Sequence, residues 1–207
     1  MFTVSAIALG AWIRFNIGPI PYTMQNFGVV LASLLLDPKR AVTAIALYLA
    51  MIAIGVPVTA GSALGPYALL GYTAGYLWGF LVSAPLVSVL VRIYLRARNK
   101  CLDRLKPGDV AMSVILVTIG MLPTYLLGYI VFRYYALLTP QLLNWATAAA
   151  TFAGFYGGRE LALLTASVLL FLPQDVLVDH LLAVLVAGKV CSYLESKGVL
   201  AGECCNR

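Results

Sequence analysis

Long apolar runs recur along this sequence and are interrupted only by short loops. Such runs must be buried in a protein core or in a bilayer, and about 20 helical residues are enough to cross a membrane. Here 62% of the 207 residues are hydrophobic and 11% are charged, whereas soluble domains average about 25% charged residues. The sequence therefore predicts an all-α integral membrane protein, in which residues 1–207 form one membrane-embedded domain.

Six of the apolar runs are predicted to be transmembrane helices. They lie at residues 2–15, 22–36, 41–54, 69–93, 110–135 and 173–194. Residues 139–172 hold two further apolar stretches, each shorter than the about 20 residues of a full span. We interpret these as two short helices on the outer side, broken at residues 157–160. Seven or eight spans are the alternative.

Basic residues predict the orientation of these helices. Residues 92–106 carry six Lys or Arg and a single Asp, and a basic loop marks the cytoplasmic side of a cell membrane. Counting outward from this loop places both termini in the cytoplasm and two uncharged Gly/Pro-rich loops outside. The net charge of +6 is therefore explained by orientation in a lipid membrane, and nucleic acid is not expected as a partner.

Small residues at four-residue spacing predict close helix packing. Ala6 and Gly10 form such a pair in the first span, where another helix could approach closely. We predict that this pair docks a coupling subunit, and packing within the chain is the alternative. Gly71, Gly75 and Gly79 share the same spacing in the fourth span, as a close-packing face or as exposed backbone lining a pocket.

Asp175 is the most informative single residue. It lies one turn inside the last apolar run, and a carboxylate at membrane depth costs roughly 2.5–3.5 kcal/mol on insertion scales, so it usually marks a ligand site or a pathway. Pro173 suits the first turn of a helix. Asp175 would then lie near the free N–H groups at that helix start. A capping carboxylate at the membrane surface is the alternative interpretation.

Other hydrogen-bonding residues lie near the inferred outer ends of the second, fourth and sixth spans. Together with the aspartate they are Thr23, Gln25, Asn26, Thr73, Tyr76 and Asp175. Each alone has an ordinary structural explanation, such as a bond to its own helix. As a set in an apolar surrounding, they favour a pocket for a small amphipathic ligand, and no cofactor is expected.

Catalysis is the competing class of function. Asp175, Asp179 and the single histidine, His180, lie close together in sequence and could serve a membrane enzyme. They lack the further carboxylates or histidines that a metal site needs, and no motif for a hydrolase or nucleotide enzyme is present. We therefore predict that the chain is not an enzyme and binds no metal. The four cysteines lack metal-site spacing and are interpreted as reduced thiols.

Several ordered blocks resemble one known family. They are residues 19–26 (PIPYTMQN), 31–40 (LASLLLDPKR), 54–58 (IGVPV), 71–80 (GYTAGYLWGF) and 173–175 (PQD). Together these blocks resemble the BioY family, the biotin-specific S component of energy-coupling-factor vitamin transporters. The last block is similar to the family's Pro-Gly-Asp.

This resemblance implies a six-helix subunit that binds biotin on the outer side and hydrolyses nothing itself. It passes biotin inward with a transmembrane coupling subunit and two cytoplasmic ATPase subunits. Asp175 would contact the ligand, together with the third loop around Ala63 and the start of the fourth span around Gly71 and Gly75. Val178 stands where the family usually carries a Lys. Another small carboxylate or vitamin is the alternative ligand.

Because biotin carries a carboxylate, the absence of that Lys requires another cation or a set of hydrogen-bond donors. Arg14, Arg133 and Arg159 lie on the inferred outer side. Arg14 is ranked first because its neighbourhood lies inside the family resemblance, with an interfacial anchor as the alternative role.

Overall fold

The described chain is mostly helical, which confirms the predicted all-α class. The structure is a computed structural model that describes residues 2–17, 20–59 and 65–197. Its helices are α1 (Phe2–Trp12), α2 (Gln25–Leu35), α3 (Pro38–Ala53), α4 (Ala74–Ala97), α5 (Pro107–Gly120), α6 (Leu122–Leu138), α7 (Pro140–Phe152), α8 (Arg159–Leu164), α9 (Leu172–Gln174) and α10 (Leu181–Ser196). Short 3-10 helices lie at Gly65–Leu69 and Leu102–Arg104.

Three helical segments are long and apolar enough to cross a membrane. Within the described residues they are Ala74–Ala97, Pro107–Leu138 and Arg159–Ser196. The segments predicted as the first three spans are also helical, but α1 and α2 have only 11 residues each and α3 has 16. A multi-helix membrane protein is therefore supported, while six full spans and the cytoplasmic position of both termini stay predictions.

A β-hairpin replaces the predicted helix ends between α1 and α2. Strand β1 (Arg14–Ile17) pairs antiparallel with β2 (Ile20–Thr23), with Arg14 opposite Thr23. The predicted first and second spans, 2–15 and 22–36, are thus too long at this end. The prolines of residues 19–21 explain the difference, because proline disrupts a helix interior but is tolerated in turns and edge strands.

The last helix begins earlier than predicted. Helical structure runs without a break from Arg159 to Ser196, through π-helical turns at Thr165–Leu169 and Asp175–His180. Of the two predicted short helices before the last span, only α7 is separate. Proline clashes with the preceding helical turn, and the wider π turns on both sides of Pro173 accommodate it.

Asp175 therefore lies in a helix interior, not at a helix start. The N–H groups of Leu170 and Phe171 before it donate to the carbonyl oxygens of Thr165 and Val168, both at 3.1 Å, so helical hydrogen bonding already runs through the turn that precedes Asp175. Pro173 lies in the first turn of the short helix α9, as predicted. Because α9 continues the helical segment that begins at Arg159, the prediction that Asp175 benefits from a free helix N-terminus is wrong. The burial of this carboxyl group must be compensated by side chains instead.

Glycines set two close helix contacts. A Cβ at Gly75 would lie 2.9 Å from Gly128 Cα, and one at Gly79 would lie 2.5 Å from Thr124 Cα. Both glycines thus pack against α6, which supports the close-packing interpretation for these two. Gly71 lies before the start of α4 and a Cβ there would meet only the Tyr67 carbonyl oxygen, at 3.4 Å. A Cβ at Gly10 would lie 2.9 Å from the Met24 carbonyl carbon, so this glycine packs inside the chain.

The basic loop between α4 and α5 is tied down by one buried carboxylate. Asp109 accepts a hydrogen bond from the Tyr94 hydroxyl at 2.9 Å and pairs with Lys100 at 3.3 Å. The loop also packs on α10, where a Cβ at Gly188 would lie 2.7 Å from the Leu102 carbonyl oxygen.

The cysteines in this region correct the expectation of reduced thiols. Cys101, next to Leu102, and Cys191, one turn after Gly188, are each disulfide-bonded. Cys204 and Cys205 lie outside the described residues.

Candidate functional site

Asp175 is the centre of a buried polar cluster. Its residue surface is only 4% exposed, and its Oδ2 accepts a hydrogen bond from the Tyr125 hydroxyl of α6 at 2.9 Å. The Asn26 amide of α2 is a second donor close to the carboxylate. Because buried carboxylates are stable only when hydrogen-bonded or paired, these two side chains compensate the burial. Asp175 and Asn26 are thus brought together, as expected for a common site.

The hairpin covers the last helix beside Asp175. The Tyr22 hydroxyl donates to the Leu170 carbonyl oxygen at 3.3 Å, and the Tyr22 and Phe171 rings are 4.4 Å apart. One turn further on, the Gln174 amide donates to the Thr23 carbonyl oxygen at 3.1 Å. These contacts hold β2 against the helical turn that precedes the carboxylate.

Tyr76 approaches the same helix from α4. Its hydroxyl donates to the Ser167 carbonyl oxygen at 2.5 Å, and it lies close enough to Asp175 for an electrostatic interaction with the carboxylate. Thr73 is half-buried just before α4, and its carbonyl oxygen accepts a hydrogen bond from the Tyr76 N–H at 3.2 Å. Gly71 is half-buried two residues earlier in the same turn region. This end of α4 therefore faces the Asp175 cluster.

Gln25 serves a neighbouring network. It is buried, and its amide donates to the Tyr48 hydroxyl at 2.9 Å, which donates to the Val58 carbonyl oxygen at 2.8 Å. Gln25 thus ties the start of α2 to the third loop. Ala63, the predicted contact in that loop, lies outside the described residues.

Asp179 and His180 are fully buried but do not form a reactive group with Asp175. Thr118 donates to the Val114 carbonyl oxygen, so its hydroxyl must accept from His180 Nδ1 at 3.0 Å. The Gln174 amide and the Phe27 N–H are close to Asp179, but its oxygens have no hydrogen-bond partner among the described residues. His180 is therefore tied to α5, not to either carboxylate.

The three arginines predicted as candidate cations have different surroundings in the structure. Arg133 makes a two-pronged pair with Glu160 at 2.7 and 2.9 Å, which joins α6 to α8. Arg159 is exposed beside this pair, and Arg14 is exposed on β1. Since Arg14 is opposite Thr23, whose carbonyl binds Gln174, Arg14 is the one that belongs to the segment covering Asp175.

Sequence reasoning missed Tyr125, Tyr22 and Gln174 as members of the cluster. Tyr22 and Gln174 lay inside the family-like blocks but were not selected. Tyr125 gave no local signal, because it is one of several aromatic residues in a long apolar run and meets Asp175 only through the fold.

Known proteins resemble the chain over most of its length. The sequence model of the BioY family matches residues 1–196. A "Probable biotin transporter BioY" of Pyrococcus horikoshii is 32% identical over 145 residues, which cover 70% of this chain and 86% of that protein. A "Biotin transporter BioY" of Thermotoga maritima is 40% identical over 84 residues, which cover 41% of this chain and 50% of that protein.

A solved structure shares the fold. It is described as the S-component for biotin from an ECF-type ABC transporter, and it superposes with a TM-score of 0.67 at 20% sequence identity. The match covers 92% of this chain and 87% of that structure. At this identity the likeness concerns the arrangement of helices, not individual side chains.

Proposed function

Because the chain belongs to the BioY family, we propose that it captures biotin on the outer side of a cell membrane. It then delivers biotin inward with a transmembrane coupling subunit and two cytoplasmic ATPase subunits, and it is not an enzyme. The observation that carries this proposal is the family match over residues 1–196, which includes the Asp175 cluster. As a multi-pass protein, it is surrounded by membrane lipid.

The chemistry of the cluster suits the ureido ring of biotin. That ring offers two N–H donors and one carbonyl acceptor. Asp175 supplies acceptor sites, and Thr73 and Asn26 supply donors from the start of α4 and from α2. The Tyr76 hydroxyl already donates its proton to the Ser167 carbonyl oxygen, so Tyr76 would offer an acceptor. Gly71 lies in the turn before α4, beside this cluster, and contact of Ala63 with the ring stays a prediction. Gln25 and Gly75 act indirectly, by holding the third loop and the contact between α4 and α6.

Docking of the coupling subunit at Ala6 and Gly10 remains a prediction. Gly28 of α2 would clash with the Ala6 carbonyl oxygen if it bore a Cβ, at 2.8 Å, so the backbone at both small residues is in contact with this chain. A coupling helix would therefore have to use the other side of α1.

Asp175→Asn tests the proposal directly. The purified protein in detergent should bind radiolabelled biotin in a one-to-one ratio, and this variant should weaken binding by about 10-fold or more, since hydrogen bonds to a charged group contribute about 1.5–3 kcal/mol. Asp37→Asn makes the same chemical change at the exposed N-terminal cap of α3, where Asn caps as well as Asp, and should bind normally. Absence of biotin binding by the unaltered protein would refute the proposed function.

The ligand's carboxylate gives a second test. Val178, at the position of the family's Lys, is 43% exposed on the helix surface and carries no charge. Because Arg133 is paired with Glu160, Arg14 is the favoured cation for the ligand's carboxylate. Arg14→Ala should weaken biotin much more than biotin amide, whereas Arg159→Ala should affect neither. Equal effects of Arg14→Ala on the two ligands would exclude Arg14 from the carboxylate site.

Native mass spectrometry of the freshly purified protein separates biotin from the alternative ligands. A retained molecule with the mass of another small carboxylate or vitamin would keep the family assignment and change the substrate.

A further inference from the structure

Tyr125 and Asp175 form the one hydrogen-bonded tyrosine–carboxylate pair that the described chain buries beside the proposed ligand site. The two residues are 50 positions apart on different helices and are 5% and 4% exposed. The hydroxyl of Tyr125 has a single proton, and it is donated to Oδ2 of Asp175 at 2.9 Å. This bond joins α6 to the π-helical turn of the last helix.

The bond fixes the plane of the carboxylate. A carboxyl group has a broad rotational preference about its last side-chain bond, so an unsupported carboxylate would sample many orientations. A carboxylate offers about four acceptor positions. With Tyr125 on one oxygen and Asn26 as the second nearby donor, the remaining positions point in a defined direction.

Tyr125 is itself held by a rigid contact. Its neighbour Thr124 is fully buried, and both its N–H and its hydroxyl bond to the Ser83 hydroxyl of α4, at 3.1 and 2.9 Å. Gly79 lets the two helices approach at this point. The part of α6 that carries the Tyr125 phenol is thus held in place by α4, and these contacts involve neither the hairpin nor the third loop.

We propose that Tyr125 is a positioning residue for ligand recognition: it holds Asp175 so that its free acceptor positions meet the N–H donors of a cyclic urea such as biotin. This inference rests on the proposed function. Tyr125 acts through Asp175 and need not touch the ligand.

The test is a double-mutant cycle measured by calorimetric titration of the full chain with biotin. Tyr125→Phe should weaken binding about 10-fold, because it removes a hydrogen bond to a charged acceptor. Asp175→Ala combined with Tyr125→Phe should bind no more weakly than Asp175→Ala alone, since the phenol then has no side-chain oxygen to position.

Tyr94→Phe is the matched control. Tyr94 makes the same hydrogen bond, at 2.9 Å, to Asp109 at the opposite end of α4, so its loss should leave biotin affinity unchanged.

Full affinity in Tyr125→Phe, or effects of the two changes that simply add in the double variant, would overturn the positioning role. The double variant has no buried ionised carboxylate at 175, so it provides a comparison even if Tyr125→Phe alone folds poorly. If the unaltered protein does not bind biotin, the proposed function is refuted. If the unaltered protein and Tyr125→Phe bind biotin equally well, only the positioning role is refuted.

Discussion

Gly79→Ala should separate the helices that carry the candidate site. The added Cβ would lie 2.5 Å from Thr124 Cα and 3.2 Å from Thr124 Cβ, distances that force α4 and α6 apart. The neighbouring contact is just as tight, because Gly128 of α6 faces the ring of Tyr76. Since this interface holds Tyr76 on one helix and Tyr125 on the other, its displacement should disturb the geometry around Asp175.

The expected magnitude follows from the cost of overpacking, which is about 1–3 kcal/mol for an inserted methyl group that the backbone must avoid. Gly108→Ala provides the control, because a Cβ there meets no described atom within 4 Å and should stabilise by about 0.4–1 kcal/mol. Thermal unfolding in the same detergent measures both variants, and biotin titration measures the site. We expect Gly79→Ala to unfold at a lower temperature and to bind biotin more weakly, with neither change in Gly108→Ala.

Equal unfolding temperatures for the two alanine variants would refute the argument that α4 and α6 pack through Gly79. A stability loss without any loss of biotin affinity would keep the packing but would show that the site tolerates separation of the helices.

Two further predictions concern residues of the last helix. Asp179→Ala should raise the unfolding temperature, because it removes a buried carboxyl group that has no hydrogen-bond partner among the described residues, and such a group costs about 1–3 kcal/mol. Asp175→Ala should lower the unfolding temperature, because it leaves the Tyr125 hydroxyl without an acceptor. The opposite ranking of the two variants would contradict this assignment of hydrogen-bond partners. Gln174→Ala should release β2 from the last helix and speed both association and dissociation of biotin in stopped-flow measurements. Gln141→Ala, the same change at an exposed position of α7, should alter neither rate.

Local sequence patterns were sufficient for some of this architecture. Helix content followed from the length of the apolar runs, and the contact made by Gly75 and Gly79 followed from their spacing on one helix face. Asp175 could be selected because a carboxylate in an apolar run is unusual. Each of these inferences depends on residues within a few turns of one another.

Other features depend on partners far away in sequence. Tyr125 is one tyrosine among several until the fold places it against a carboxylate 50 residues later. The continuous helix through Pro173 also defies local rules, because proline normally starts or ends a helix. The π turns on both sides accommodate the proline, and they pack against α2 and α6, which are far away in sequence.

These π turns also change which residues share a face with Asp175. In a regular α-helix, residues three and four positions apart lie on the same side. Bonds from residue i to i+5 widen the turn, so the side chain three positions on is rotated away from Asp175. Val178 is accordingly exposed on the helix surface, whereas Asp179 is completely buried.

Val178→Lys therefore should not provide a cation for the ligand, although the resemblance to the family suggests a lysine at this position. The ammonium group would extend from the exposed face toward the membrane surface, with its apolar stem against the helix. We expect this variant to keep the same ratio of affinities for biotin and biotin amide, measured by competition against radiolabelled biotin. A selective gain for biotin would show instead that position 178 faces the ligand, and that the turn around Asp175 is a regular α-helix when biotin is bound.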